Sequence, residues 1–399
     1  MEDLTQIIPE ISEIMRPSQE IDSGTLVKDV IEIFQKDPSL LAIPVTAGNR
    51  FLGVINRKVL FIEHLGRPFA VDLYSRKPIS QLLPESQFAI EPEIDINDTL
   101  AKLLEVDPAL AIDSFPVTKD DRCLGIVSVS DLMMKVSKCQ GILFDTLKLL
   151  SSRINEEVSK ASIIQRDLLP PSEYSDSNIT ISAGLITSSE IGGDFYDYFP
   201  LDGNRFGLVV ADVSGHGVQA GMVTTAAKAS LHTLISKGVT TPAALLSGMN
   251  NAILATAKQS LLMTCLVAVI DVEKEKVTFS NAGHNFPYLF RSQQKKLDRV
   301  EEVAGYPLGF EKDFLYSECS AGFSPGDVLF LYTDGIIECL NFEGEEFGYE
   351  RLEGVLSRAG ECSPLELRNL LRRSAEIFTS ISTFEDDVTL LIAAAASKN

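Results

Sequence analysis

Two stretches in the first third of the chain repeat each other, and the repeat limits how that third can fold. Ile43-Pro44-Val45 returns as Phe115-Pro116-Val117, and Leu52-Gly53-Val54-Ile55 returns as Leu124-Gly125-Ile126-Val127. Pro44 and Pro116 stand 72 residues apart, as do Gly53 and Gly125. Thr25-Leu26 and Thr99-Leu100 are read as opening the helical patterns ahead of these strands. Asp37-Pro38 and Asp107-Pro108 close them, because the residue before a proline is pushed out of the helical region. Each unit then reads as helix, short apolar strand, turn, second strand, helix. A fixed period with matching turns predicts duplicated units that pack on each other.

Residues 139–169 follow with a different period. Leu143, Leu147, Leu150, Ile154, Ala161, Ile164 and Leu168 step by threes and fours, with Glu157 interrupting once. This is a heptad seam over about four heptads, and Pro170-Pro171 ends it. It predicts a helix that pairs in a parallel dimer, or one that lays its apolar stripe on its own domain.

The rest, about 172–397, reads as one domain. Strands are expected at Ile179–Leu185, Phe206–Ala211, Leu266–Asp271, Lys276–Ser280, Val328–Tyr332 and Val388–Ala393. Asp202-Gly203-Asn204 forms a hairpin-type turn between the first two. Helices are expected at Gly221–Ser236 and Ser363–Thr379. Strand runs interrupted by helices predict an α+β fold with stacked sheets.

Acids punctuate this domain at strand ends and glycine turns. They are Asp194 in Ile191-Gly192-Gly193-Asp194, Asp212 in Val210-Ala211-Asp212-Val213-Ser214-Gly215-His216-Gly217, and Asp334 in Leu331-Tyr332-Thr333-Asp334-Gly335. The pair Asp386-Asp387 precedes Val388. A carboxylate following an apolar strand is held at the sheet edge, and a neighbouring glycine lets backbone approach closely. Four like charges converge only with a partner, which divalent cations supply. A single acid of this kind is more often an ordinary turn residue.

Together these segments resemble the metal-dependent protein phosphatases of the PPM superfamily, in the SpoIIE/RsbU branch that acts on bacterial regulators. Gln165-Arg166-Asp167-Leu168-Leu169-Pro170, Asn281-Ala282-Gly283-His284-Asn285 and Pro307-Leu308-Gly309 belong to the same likeness, which runs over about 165–393. The resemblance implies an α-β-β-α sandwich over 171–397 and two divalent cations, Mn²⁺ or Mg²⁺. It implies that Asp212 bridges both, that Asp194 and the Val213 carbonyl complete one site, and that Asp334 and Asp386 hold the other. Asp387 is the weaker choice of its pair. It further implies in-line attack by metal-activated water without a phosphoenzyme, and a STAS-type phosphorylated regulatory protein as substrate.

The duplicated first third resembles a pair of CBS domains, over 7–137 (about 7–70 and 76–137), joined by a helical linker over 138–170. In that family a strand followed by G-h-h-[ST]-x-x-D binds adenine nucleotides. Gly125-Ile126-Val127-Ser128-Val129-Ser130-Asp131 matches it, so Ser128 and Asp131 form a possible adenylate site. Gly53-Val54-Ile55-Asn56-Arg57-Lys58-Val59 lacks both the hydroxyl and the acid. Ser-x-x-Asp is equally a helix N-cap with an acid in its first turn.

Departures and alternatives remain open at this level. Residues 172–193 contain no Arg or Lys to grip phosphate, and Ser214 stands where relatives carry a histidine. His216 and His284 are read as supports for turns or backbone, Phe195 and Tyr196 as core. Gly192-Gly193-Asp194-Phe195 superficially resembles the turn of diguanylate cyclases, but Phe195 replaces the second acid. A phosphatase-like protein that only binds a partner is the other alternative. Lys+Arg of 35 against Asp+Glu of 56 gives −21, which disfavours nucleic-acid and anionic-membrane partners. The acidic start Met1-Glu2-Asp3-Leu4 lacks the basic opening of a signal peptide. Six scattered cysteines without C-x-x-C fit reduced thiols. A cytoplasmic homodimer, paired through the 139–169 helix and the CBS pair, is the expected state.

Overall fold

A computed structural model describes residues 8–257, 260–380 and 384–396. The limits at 7 and 397 and the start Met1-Glu2-Asp3-Leu4 lie outside the described residues. The chain divides into two compact units, 1–152 and 153–399. Among the described residues no helix is long and apolar enough to cross a membrane.

In the first unit the strands are β1 (Ile21–Asp22), β2 (Ala42–Ala47), β3 (Arg50–Asn56), β4 (Ser114–Lys119) and β5 (Arg122–Ser128). Its helices are α1 (Val27–Lys36), α2 (Ala70–Tyr74) and α3 (Ile96–Val106). The β2–β3 and β4–β5 hairpins repeat residue for residue. Pro44 faces Val54 as Pro116 faces Ile126, and each ladder breaks register at the same step, Val45/Thr46 and Val117/Thr118. One difference from expectation concerns a helix start. Thr99 lies inside α3, whose N-cap is Asp95, bonded to the amides of Asn97 and Asp98. A carboxylate accepting two free N–H groups is the stronger start signal.

Helix α4 runs from Val129 to Asp167, 39 residues, beginning well before the expected linker. Nothing in Val129–Lys138 breaks a helix, so the last helix of the repeat and the seam are continuous. Leu143, Leu147, Leu150, Ile154 and Ile164 are all exposed. The alternative in which the whole stripe lies on its own domain is therefore not what the structure shows.

The second unit contains two sheets. Its strands are β6 (Glu173–Ser175), β7 (Ile179–Ile186), β8 (Phe195–Asp202), β9 (Arg205–Val213), β10 (Met263–Asp271), β11 (Lys276–Ala282), β12 (Tyr288–Arg291), β13 (Lys296–Arg299), β14 (Cys319–Gly322), β15 (Val328–Tyr332) and β16 (Val388–Ala395). One sheet has the order β14-β11-β10-β9-β8, the other β13-β12-β15-β16-β7-β6. Helices α5 (Val218–Ser236) and α6 (Pro242–Ala257) pack on the first; α7 (Gly335–Glu338), α8 (Gly348–Leu356) and α9 (Pro364–Thr379) pack on the second.

The period of two sorts each central strand between two cores. In β9, Phe206, Leu208 and Val210 face the space between the sheets, while Val209, Ala211 and Val213 face α5 and α6. In β16, Leu391, Ala393 and Ala395 face the same inter-sheet core, while Val388, Leu390 and Ile392 face α8 and α9. Burial on both faces explains why these strands read as unbroken apolar runs.

The expected hairpin was assigned to the wrong first strand. Asp202-Gly203-Asn204 joins β8 to β9, not the strand at Ile179. Strand β8 escapes a sequence reading because Asp197 and Pro200 interrupt it. The structure accommodates both: β8 is an edge strand, its ladder shifts register between Pro200 and Asp202, and Asp197 is paired with Lys228 and His232. Phe195 and Tyr196 are buried in β8, as core residues.

Candidate active site

Antiparallel pairing brings the acids together. Phe195 at the start of β8 pairs with Ala211 near the end of β9, which sets Asp194 beside Asp212. Tyr332 at the end of β15 pairs with Leu390 near the start of β16, which sets Asp334 beside Asp386 and Asp387. Two acids thus come from one sheet and three from the other, at one end of the sandwich.

Asp194 is 1% exposed, and one of its oxygens accepts hydrogen bonds from the Thr333 and Thr389 hydroxyls, each 2.7 Å. These two threonines belong to the opposite sheet. Loss of water holds the Asp194 carboxyl well above the usual carboxylate range, and the Asp212 charge adds to this; the threonine bonds oppose it. Burial raises Asp212 to about 7, helped by Asp334 and Asp386. Burial and Asp386 raise Asp334 as well. Glu338, in α7, is raised by burial and then by Asp334, Glu346 and Asp386, so it also faces this cluster. The leading influences on these groups are lost water and other carboxylates; no lysine or arginine is among them.

The neighbouring acids Asp386 and Asp387 have different environments. Asp387 is buried and accepts from the Ser188 amide at 2.7 Å, the Ser188 hydroxyl at 3.0 Å and the Gly193 amide at 2.7 Å. It holds the loop that carries Asp194. Asp386 is exposed and keeps one oxygen on the Asp387 amide. Gly192 and Gly193 are required by contact: a Cβ at 192 would stand 2.6 Å from Asp387 Oδ2, and one at 193 would stand 2.9 Å from the Val213 carbonyl oxygen.

Supports surround the cluster. His284 is buried, and its Nε2–H donates to the Tyr332 carbonyl at 3.0 Å while Nδ1 accepts from Thr264 at 2.8 Å. Burial lowers its pKa to about 4, so it is a neutral staple between β10 and β15. Ser214 accepts from the Leu262 amide at 3.1 Å. His216 is exposed and makes no hydrogen bond that would support the turn. Gln165, near the end of α4, donates to the Gly192 carbonyl and the Thr224 hydroxyl and accepts from the Gly192 amide. Thr333, Thr389, Glu338 and Gln165 carried no sequence signal as partners of the cluster, though Gln165 belongs to a motif singled out above.

The carboxylates share a space without yet closing on one point. Among the described residues, no three His, Cys, Asp or Glu side chains stand close enough to enclose a cation. Made of carboxylate oxygens, with no lysine or arginine among the leading influences on Asp194, Asp212 and Asp334, the donor set suits a hard divalent ion.

Residues 202–395 match the family described as Stage II sporulation protein E (SpoIIE), and residues 72–138 match the CBS domain. The chain carries a SpoIIE-type phosphatase domain and a CBS domain. The chain is similar to phosphoserine phosphatase RsbU of Bacillus subtilis, 25% identical over 288 residues, which is 71% of this chain and 81% of that protein. It is also similar to phosphoserine phosphatase RsbP of the same organism, 25% identical over 46% of this chain and 45% of that protein. The solved PP2C domain of SiaA from Pseudomonas aeruginosa superposes with a TM-score of 0.53 at 21% identity, over 61% of this chain and 98% of that one. The second unit therefore has the fold of that PP2C domain.

Ser128 and Asp131 lie together in the first unit. Ser128 Oγ accepts the Asp131 amide at 2.9 Å, capping α4, and Asp131 pairs with Arg16 at 2.7 Å. They line a cavity of about 280 Å³. The helix-cap reading of this motif is thus realised, beside a space that a ligand could enter.

Proposed function

We propose that this protein is a Mg²⁺- or Mn²⁺-dependent phosphoserine/phosphothreonine protein phosphatase that acts on a STAS-type regulatory protein. The observation that supports it most is the placement of Asp194, Asp212, Asp334 and Asp386 at one end of the sandwich, two from each sheet, where Asp194, Asp212 and Asp334 are each raised by burial and by other carboxylates. Asp194, Asp212 and the Val213 carbonyl would hold one cation; Asp212, Asp334 and Asp386 would hold a second. Asp387 is committed to the backbone of the Asp194 loop. When bound, the two cations supply Lewis acidity for water and for the phosphoryl oxygens.

The chain's own groups prepare that site. Thr333 and Thr389 fix the Asp194 carboxylate across the sandwich, and His284 ties the two sheets together beneath it. Asp387 and Gln165 hold the Gly192-Gly193 turn from two sides. With no Arg or Lys in 172–193, the burden of phosphate recognition falls on the metal-bearing acids. The direct test is phosphate release from a phosphoserine protein, with Mn²⁺ and with the metal chelated. No metal-dependent release would remove the proposal.

The first unit would act as a CBS pair, its two hairpins sharing one register. An adenine nucleotide in the cavity at Ser128 and Asp131 would change phosphatase activity. Replacing Asp131 with Ala should weaken ATP, ADP or AMP binding at least about tenfold, by loss of the acid that holds ribose hydroxyls. Calorimetry on the full chain reads this directly, and equal affinities would exclude the site.

The exposed seam of α4 would pair with a second copy in parallel. Sedimentation should show a dimer that Leu147→Lys with Ile154→Lys converts to a monomer, since a charge at a seam position stays unpaired. A wild-type monomer at tens of micromolar would refute the pairing. The partner-binding alternative predicts binding of the regulatory protein without hydrolysis.

A further inference from the structure

The second unit contains a cavity of ligand size, about 370 Å³, between the end of α4, β7, α5 and α9. A volume above about 300 Å³ is in the range of small-molecule sites. Its charge is opposite to that of the chain. Arg166, Lys228, Arg368 and Arg372 line it, against Glu190 and Asp194, in a protein of net charge −21. Asp194 is already held by two threonines and turned into the sandwich.

Their carboxylate partners are few: Lys228, Arg368 and Arg372 each have one within 4.0 Å, and Arg166 has none among the described residues. Lys228 is 8% exposed, and its Nζ lies 3.0 Å from a single Asp197 oxygen that His232 also binds. One shared oxygen does not satisfy three ammonium donors. Arg368 is mostly buried and bonds the carbonyls of Ser172 and Ala183; its carboxylate, Glu173, is 3.8 Å away. Arg372 pairs with Glu376 on its own helix. Arg166 is exposed and makes no ion pair among the described residues. The rest of the wall is largely apolar, with Leu168, Leu185 and Ile186 among its residues.

From this arrangement we propose that the cavity binds a small organic anion: an apolar ring or chain bearing one carboxylate, sulfonate or phosphate. The apolar body lies along Leu185 and Ile186, and the anion meets Arg166, Arg372 and the spare donors of Lys228. Gln165 lines the same cavity and bonds both polar groups of Gly192, two residues before Asp194. An occupant therefore touches the element that positions the acid cluster. Binding itself does not depend on the phosphatase reading, so the two can fail separately.

The test uses the full chain with Mn²⁺ and two fluorescent probes of similar shape, 8-anilinonaphthalene-1-sulfonate and its neutral analogue N-phenyl-1-naphthylamine. The wild type should show a saturable sulfonate site of one per chain. Arg166→Glu with Arg372→Glu should weaken that site at least about tenfold, through reversed charge at the rim. The neutral probe should bind both proteins equally. Arg166→Gln with Arg372→Gln, a milder pair, should give an intermediate loss and guards against misfolding, with the melting temperature as control. Sulfonate binding that is the same in wild type and both variants overturns the proposal. So does loss of neutral and anionic probe in parallel.

Discussion

Asp212→Asn is expected to reduce metal-dependent phosphate release by about 10³-fold or more. Asp212 is the acid on which Asp194, Asp334 and Asp386 all act, which is why it is the one proposed to serve both cations. Asn keeps the shape but removes the charge, and preorganised electrostatics of this kind account for factors of about 10²–10³ per group. The same substitution should have the opposite effect on the metal-free fold. It removes one of several carboxylates that repel one another in a buried space, so the chelated variant should melt above the chelated wild type. A general loss of packing would lower both activity and melting temperature. Wild-type activity in the variant would disprove the assignment of Asp212.

The second large effect concerns pH and metal. In the folded, metal-free protein Asp212 is raised to about 7, and Asp194 and Asp334 are raised too. Unfolded aspartates titrate near 4. Between these values the folded state binds more protons than the unfolded state, so stability falls as pH rises. The penalty is absent below about pH 4, and the part due to Asp212 is complete once pH exceeds its folded value of about 7. The chelated protein should therefore melt at lower temperature at pH 8 than at pH 6. Saturating Mn²⁺ should reverse this by occupying the ionised acids. At a hundredfold excess over Kd, binding contributes about 2.7 kcal/mol, or roughly 5–10 °C for a unit of this size. A pH-independent melting temperature in chelator, or no response to Mn²⁺, would contradict the crowded-carboxylate picture.

Much of this was legible in the chain. The central strands announced themselves because both faces of each sheet are covered, which leaves apolar runs such as Val328–Tyr332, whose ends the structure reproduces. The acids stood out because each follows or precedes such a run beside glycine. Strand β8 did not, since an edge position tolerates Pro200 and a salt-bridged Asp197 that a central strand would reject. The helix cap at Asp95 is hidden behind Thr99, because a threonine at a turn carries the same local signal whether or not the chain is already helical.

The order of residues alone determined which acids were available and that the first third is duplicated, because strand ends, glycines and repeat spacing are local properties. Only the tertiary structure decided how the acids divide their work. Asp386 and Asp387 stand at a bend just before β16, and Asp387 turns inward to the amides of Ser188 and Gly193 while Asp386 stays exposed and acts on Asp212. Thr333 and Thr389 reach Asp194 across more than a hundred residues of chain. No local pattern encodes such a contact, since it exists only once two sheets have packed face to face.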